Sequence, residues 1–352
     1  MGYMKNYVNW AILAPGRIAN AMATAMNGIK DGKLAGTDGS KIHLYAVASR
    51  NLERAQDFAK KWNFEKAYGS YEELYNDPEV DAVYIANPHS FHYDSIMKCF
   101  EAGKHVLCEK PAVCNLGQLN KVLEKAKEKK LFFMEAMWTA FNPCIQKLKK
   151  KIYEEKKIGD IKHIESVFSL RIPFDPNHRL WAPNLAGGAL LDLGIYCIYY
   201  SMLINNFEPI ANHTSTVRME NGIDAWNSVN LTFKNGVTTH FESSCDMIND
   251  SGSPDAVIYG TKGFISSKLF FLQTKAEIHV YKGDGGNDND LVEVIEAPFD
   301  VNGYEYELIE ANECILKGKI ESDIHSFQRS IDLCKIMDQL RNDWGFKYPF
   351  EK

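Results

Sequence analysis

His105-Val106-Leu107-Cys108-Glu109-Lys110-Pro111 is an apolar run that stops abruptly at an acid, a base and a proline. Read as a buried strand, it delivers Lys110 just beyond its carboxyl end, where open α/β sheets bind their ligands. By themselves the same residues also make an ordinary strand followed by an exposed Glu-Lys pair and a turn proline. What flanks them decides between the two.

Upstream, apolar runs alternate with helical periods. Val8 to Ala14 reads as a strand, Pro15-Gly16-Arg17 as a turn, and Ile18 to Asn27 as a helix. His43 to Ala48 is a second strand, Leu52 to Trp62 a helix, and Tyr71 to Leu74 a short helix. Val80 to Ala86 is a buried strand ending at Asn87-Pro88-His89, and Phe91 to Ala102 is a helix stopped by Gly103. Strand and helix alternating with turn residues at each junction predict a doubly wound parallel sheet.

In such a sheet the first turn cradles a pyrophosphate at a helix N-terminus. Here that turn reads Ala14-Pro15-Gly16-Arg17-Ile18-Ala19, with alanine in place of the usual first glycine and Gly16 retained. Gly16, Arg17 and Ile18 are the residues expected at the phosphates. The second strand ends in Ser49-Arg50 rather than in the acid that binds adenosine ribose hydroxyls. Asn51 is the expected N-cap of the next helix, with Arg54 four residues after Arg50. Ser49, Arg50 and Arg54 suit a 2′-phosphate, so NADP is favoured over NAD. Asn87, Pro88, His89 and His92 fall at the mouth of the sheet, where a nicotinamide ribose is expected, near Glu109, Lys110 and Pro111.

Length and composition bound the rest. A chain of 352 residues exceeds one ordinary core, and 45% hydrophobic with 24% charged residues is ordinary for a soluble protein. A net charge of −6 argues against nucleic acid or an anionic membrane as the main partner. Met1 to Asn9 lacks the apolar core of a secretory signal. The apolar stretch Gly187 to Ile204 is interrupted by Asp192 and reads as a buried helix, not a membrane span. The eight cysteines include no CxxC pair. They are expected to be reduced thiols of a cytoplasmic protein, with no metal site.

Gln118 to Lys130 reads as an amphipathic helix and Phe132 to Trp138 as a strand leading out of the first domain. The boundary is placed near residue 130, giving domains 1–130 and 131–352. From Ile164 onward the texture changes to alternating runs joined by Asn221-Gly222 and Asn235-Gly236 turns, and Gly283 to Asp290 reads as a polar loop. Asn-Gly between such runs signals hairpins. A largely antiparallel sheet is expected, one face covered by helices and the other open to a second subunit. Tyr304 to Leu316 and His325 to Arg341 are the last helices. Within this part, Asp192 and Tyr196 stand at i,i+4, so one helix face presents a carboxylate and a phenol. An acid in so apolar a helix needs a partner.

Taken in order, Gly16-Arg17-Ile18-Ala19, Asn87-Pro88, Glu109-Lys110-Pro111 and Gly188…Asp192-x-Gly194-x-Tyr196 resemble the Gfo/Idh/MocA oxidoreductases. The likeness extends to Tyr259-Gly260-Thr261-Lys262-Gly263 and Gly303-Tyr304-Glu305-Tyr306-Glu307, and is strongest to the members with tyrosine rather than histidine at position 196. It implies a Rossmann domain, a second α/β domain with an open-faced sheet, commonly a homodimer through that sheet, and a cis peptide before Pro111. It also implies hydride transfer between NADP or NAD and a secondary alcohol or hemiacetal carbon of a sugar or dihydrodiol. Tyr196 is then expected to carry the hydroxyl proton. Lys110 is expected to lower the phenol's pKa and bind the reacting oxygen. Asp192 either orients Lys110 or binds a substrate hydroxyl. Trp138, Phe174, Arg179 and Trp181 are candidates for the substrate pocket. Two other readings stay open: a nicotinamide-binding sensor without turnover, and a lyase that oxidises its substrate transiently.

Overall fold

The computed structural model describes residues 5–248, 255–283, 285–286 and 288–351. The first elements are β1 (Val8–Leu13), α1 (Arg17–Lys30), β2 (Ile42–Ala48), α2 (Leu52–Trp62), β3 (Lys66–Tyr68), α3 (Tyr71–Asn76), β4 (Ala82–Ile85), α4 (His92–Glu101), β5 (His105–Glu109), α5 (Leu116–Lys129) and β6 (Phe133–Ala136). Side chains start three of these helices. Asn51 Oδ1 accepts the Arg54 N–H, Ser70 Oγ that of Glu73, and Asn115 Oδ1 that of Gln118. The strands form one sheet in the order β3-β2-β1-β4-β5-β6, and every neighbouring pair runs parallel. This is the doubly wound order, whose reversal between β1 and β4 opens a crevice at the carboxyl ends of the strands. β5, the strand of the opening heptapeptide, lies inside the sheet and is buried from Val106 to Glu109.

The second sheet follows α6 (Pro143–Tyr153), whose N-cap Asn142 takes the N–H groups of Cys144 and Ile145. Its remaining elements are β7 (Ile161–Ser169), α7 (Ile195–Ile204), β8 (Ile210–Glu220), β9 (Ile223–Phe233), β10 (Thr238–Ser244), β11 (Ala256–Gly260), β12 (Gly263–Ser267), β13 (Lys275–Tyr281) and β14 (Asn289–Glu296). Eight strands run in the order β14-β13-β12-β11-β7-β10-β9-β8, antiparallel except for β7 with β10. α7 packs on β7 and β10, and α6 on β13 and β14. The apolar stretch Pro183–Ile204 is long enough to cross a membrane but is buried within the protein from Ala186 onward, as expected of a core helix apolar on all sides. The other face of the sheet carries the half-buried Trp226, Tyr259 and Phe264. Of the expected polar loop at 283–290, positions 284 and 287 lie outside the described residues, and β14 already begins at Asn289. The expected signal-free N-terminus likewise falls outside them over residues 1–4.

The chain closes with α8 (Glu305–Leu316) and α9 (Phe327–Asp343). Here the structure departs from a division at residue 130. Contacts gather Met1–Trp138 with Asp300–Cys334 into one unit, and Thr139–Phe299 with Lys335–Lys352 into another. β6, read as a strand leading out, is hydrogen-bonded to β5 as the sixth strand of the first sheet. α8 packs on β1, β5 and α1, and the buried Asn312 accepts the indole N–H of Trp10 at 3.0 Å. Apolar area is buried wherever a matching face exists, so a distant segment returns to complete the first core.

Candidate active site

In the first unit the expected cofactor residues stand past the carboxyl ends of β1, β2, β4 and β5. Ala14 adopts φ +71°, the left-handed conformation that the missing glycine ordinarily takes. Its carbonyl accepts the Gly16 N–H at 2.8 Å, closing a tight turn into α1. A Cβ on Gly16 would meet no protein atom nearer than Ala14 O at 4.0 Å. The space in front of Gly16 is therefore open to something other than the protein. Arg17 is exposed and Ile18 half-buried at the same helix start.

At the end of β2, Ser49 is buried and accepts the Asn51 N–H, while Arg50 and Arg54 are exposed. Arg54 donates to the Pro15 carbonyl at 3.4 Å, which ties α2 to the phosphate turn. Both guanidinium groups lie close enough to Tyr71 to pull down its phenol pKa, although burial raises it overall. After β4, Asn87 donates from Nδ2 to Ser95 Oγ, and its buried Oδ1 has no hydrogen-bond partner among the described residues. Ser90 Oγ is likewise buried without one. Open space at Gly16, orphaned polar atoms at Asn87 and Ser90, and two exposed arginines fit a phosphorylated dinucleotide.

His92 is placed differently from expectation. It is fully buried, with Nδ1 2.8 Å from the Pro111 carbonyl and Nε2 2.8 Å from that of Asn87. Burial holds its pKa below the ordinary histidine range. Its position is that of a brace between the ends of β4 and β5, and His89, 5.7 Å away ring to ring, is the more exposed of the two. Glu109, expected at the cofactor, is buried and accepts the Tyr84 hydroxyl across the sheet. Lys110 follows it directly, 9% exposed, and the Lys110–Pro111 peptide is cis. Trp138 stacks on Tyr304 with centroids 4.4 Å apart, a pairing across the chain that neither local sequence announces.

In the second unit the segment bearing Asp192 begins as a π-helical turn, Leu190–Gly194, before α7. Such turns bond i to i+5 and recur at functional sites; the plain α-helical spacing of Asp192 and Tyr196 misses this change of pitch. Asp192 is 4% exposed and binds Arg179 bidentately, NH1 to Oδ1 at 2.9 Å and NH2 to Oδ2 at 3.0 Å. The partner that a buried acid requires is thus supplied from within its own unit, by a residue the sequence places among pocket candidates. Tyr196 is 8% exposed beside Phe168 and Phe271, whose rings stack at 3.9 Å and lie 5.7 and 5.9 Å from its own. These two phenylalanines come from β7 and from the turn after β12, so no local pattern could flag them. Phe174 and Trp181 meet edge to face at 5.3 Å and line a cavity of about 330 Å³ with Arg171, Ile172, Pro173, Glu220 and Asp246. Neither Asp192 nor Tyr196 lines it.

Comparison with protein families matches residues 8–137 to the Gfo/Idh/MocA oxidoreductases with an NAD-binding Rossmann fold, and residues 145–266 to the C-terminal domain of that family. Trans-1,2-dihydrobenzene-1,2-diol dehydrogenase of Mus musculus is 33% identical over 349 residues, covering 98% of this chain and 99% of the relative. The Homo sapiens enzyme of the same name is 32% identical over 353 residues, with the same coverage. Two solved structures share the fold. A 3-ketoreductase from Actinomadura kijaniata with NADP and TDP-benzene has a TM-score of 0.81 at 22% identity, covering 96% of this chain and 98% of that one. Levoglucosan dehydrogenase with NADH and levoglucosan has 0.82 at 18%, covering 96% and 97%. Fold and relatives together define an oxidoreductase with an NAD(P)-binding Rossmann domain. The chain belongs to the Gfo/Idh/MocA oxidoreductase family.

Proposed function

We propose that this protein catalyses the reversible, NADP-linked oxidation of a secondary alcohol or hemiacetal carbon in a cyclic diol or sugar. In this reading Tyr196 takes the hydroxyl proton during oxidation and returns it to the carbonyl during reduction. Lys110 is the cation that serves this proton transfer by favouring the phenolate and holding the reacting oxygen. The observation that carries the reading is the emergence of Lys110 from β5 at the carboxyl edge of the dinucleotide sheet, level with the open turn at Gly16. When bound, the nicotinamide supplies the hydride chemistry. Gly16, Arg17 and Ile18 would hold the pyrophosphate, Ser49, Arg50 and Arg54 the 2′-phosphate, and Asn87, Pro88 and His89 the nicotinamide side. His92, Glu109 and Pro111 would shape that edge from behind.

Asp192 orients Arg179 in this scheme, leaving the half-exposed guanidinium, with 48% of its side chain accessible, to meet a substrate hydroxyl. The stacked Phe168 and Phe271 give Tyr196 an apolar wall suited to the flat face of a ring. That wall and the dihydrodiol dehydrogenases among the relatives favour a dihydrodiol over an open-chain polyol. A homodimer through the uncovered face of the eight-stranded sheet and a cytoplasmic location complete the reading. Trp226, Tyr259 and Phe264 on that face support the first, and the burial of all eight cysteines supports the second. A panel of trans-dihydrodiols, aldoses and anhydro-sugars, followed at the reduced-nicotinamide absorbance with NADP and NAD, tests the proposal. Turnover of a diol or sugar with NADP preferred is the expected result. Turnover with no net change in absorbance would instead identify a lyase, and no turnover a binding protein.

A further inference from the structure

The π-helical turn that begins the Tyr196 helix rests on a buried acid that takes no part in the scheme above. Asp224, on β9, is fully buried. Its Oδ2 accepts the backbone N–H of Leu190 at 2.6 Å and the Asn227 side-chain amide at 2.9 Å. Asn227 Oδ1 in turn accepts the Ser243 hydroxyl at 2.9 Å, and Asn227 and Ser243 are also fully buried. Both ends of the turn meet this chain of polar groups. Leu190 donates into it at one end. At the other, Gly194 lies so close that a Cβ there would stand 2.9 Å from Ser243 Oγ. Before the turn, Gly188 has φ +119°, and a Cβ on it would fall 2.1 Å from Asp224 Oδ1. Only glycine satisfies both the torsion and the contact.

We propose that Asp224, backed by Asn227 and Ser243, is the positioning residue that fixes the π-helical turn and so sets where Asp192 and Tyr196 stand. The inference rests on the reading of Tyr196 as proton carrier. Its physical basis is that a fully buried polar network has few alternative arrangements: each donor must find its acceptor or lose the cost of desolvation. Oδ1 has no hydrogen-bond partner among the described residues, so the Leu190 and Asn227 donors at Oδ2 are the bonds that fix the acid.

The acid also carries a signature. Burial pushes its carboxyl up to about 7, against the opposing pull of the Leu190 and Asn227 donors and the Arg341 charge. The titratable and charged groups on the elements around it are His213, Arg218 and Glu220 on β8, His240 and Glu242 on β10 with Cys245 and Asp246 just beyond it, Asp192 with Arg179, and Asp338, Arg341 and Asp343 towards the end of α9. A carboxyl raised above its unfolded value stabilises the fold at pH below that unfolded value. The contribution is lost as the pH climbs through about 7.

The experiment uses the whole chain with NADP as hydride acceptor, trans-1,2-dihydrobenzene-1,2-diol as the alcohol oxidised, NADPH for the binding measurement, and the variants Asp224→Ala, Asp224→Asn, Ser243→Ala and Tyr196→Phe. Turnover, KM, NADPH affinity and the thermal midpoint are measured from pH 5.5 to 8.5. Asp224→Ala should lose at least about tenfold in kcat with KM and NADPH affinity nearly unchanged. Asp224→Asn, which keeps an acceptor for Leu190, should retain kcat within about threefold and abolish the fall of the thermal midpoint between pH 6 and 8. Ser243→Ala, the milder variant should Asp224→Ala fail to fold, should lower kcat about threefold. Wild-type kcat in folded Asp224→Ala or in Ser243→Ala, or an unchanged pH dependence in Asp224→Asn, overturns the inference. Full activity of Tyr196→Phe overturns the reading of Tyr196 instead, and the thermal midpoint of Asp224→Asn then still decides whether Asp224 holds the turn.

Discussion

The nucleotide edge of the first unit and the Asp192 helix of the second treat polar atoms in opposite ways. At the edge, polar groups are left open: Gly16 faces empty space, Asn87 Oδ1 has no partner among the described residues, and Arg50 and Arg54 reach solvent. At the helix the carboxylate and the turn are tied down: Asp192 is held at both oxygens by Arg179, and Leu190 is bound to Asp224 Oδ2, although Asp224 Oδ1 stays unpaired among the described residues. Leaving buried polar atoms unpaired costs stability, so the edge reads as a surface prepared for ligand atoms. The helix reads as a mount whose purpose is fixed geometry. The one makes its remaining bonds on binding, the other on folding.

That contrast predicts different failures. The largest is expected where the edge meets the chemistry. Lys110→Met should reduce kcat about a thousandfold, within the range of lost acid–base assistance, while NADPH still quenches tryptophan fluorescence with near-native affinity. Full activity in this variant would remove Lys110 from the reaction. Next, Arg179→Ala should act on the mount. Loss of two charge-assisted bonds to a buried carboxylate is expected to cost about 2 kcal/mol, less than for a fully buried pair because Arg179 is half exposed. Urea unfolding measures this, and an unchanged midpoint would mean that the pair holds nothing in place. The smallest effect belongs to the open edge: Arg50→Ala should raise KM for NADP about tenfold, roughly 1.4 kcal/mol, with KM for NAD and the urea midpoint unchanged. An equal loss with both coenzymes would deny Arg50 the 2′-phosphate.

His92 shows what residue spacing leaves open at the site. Its spacing from Asn87 and His89 puts it at the mouth of the sheet, yet the first turn of α4 points its ring inward to two carbonyls. Residue type and position in the chain are local facts; the direction of a side chain depends on which neighbour needs a donor. Asp192 shows the converse. The requirement for a partner was legible from an acid among leucines, but the identity of Arg179 depended on how the loop before Gly187 folds back.

The alternation of strands and helices, the turn at Gly16, the arginines after β2 and the lysine ending β5 were all determined by the sequence alone. Each depends on local torsions, periodicity and turn chemistry, which a short window contains. Only the tertiary structure could return residues 300–334 to the first unit, pair Arg179 with Asp192, seat Phe168 and Phe271 beside Tyr196, and place Asp224 beneath Leu190. Burial and hydrogen bonding act between whatever surfaces the folded chain brings together, and those contacts have no signature in the order of residues along it.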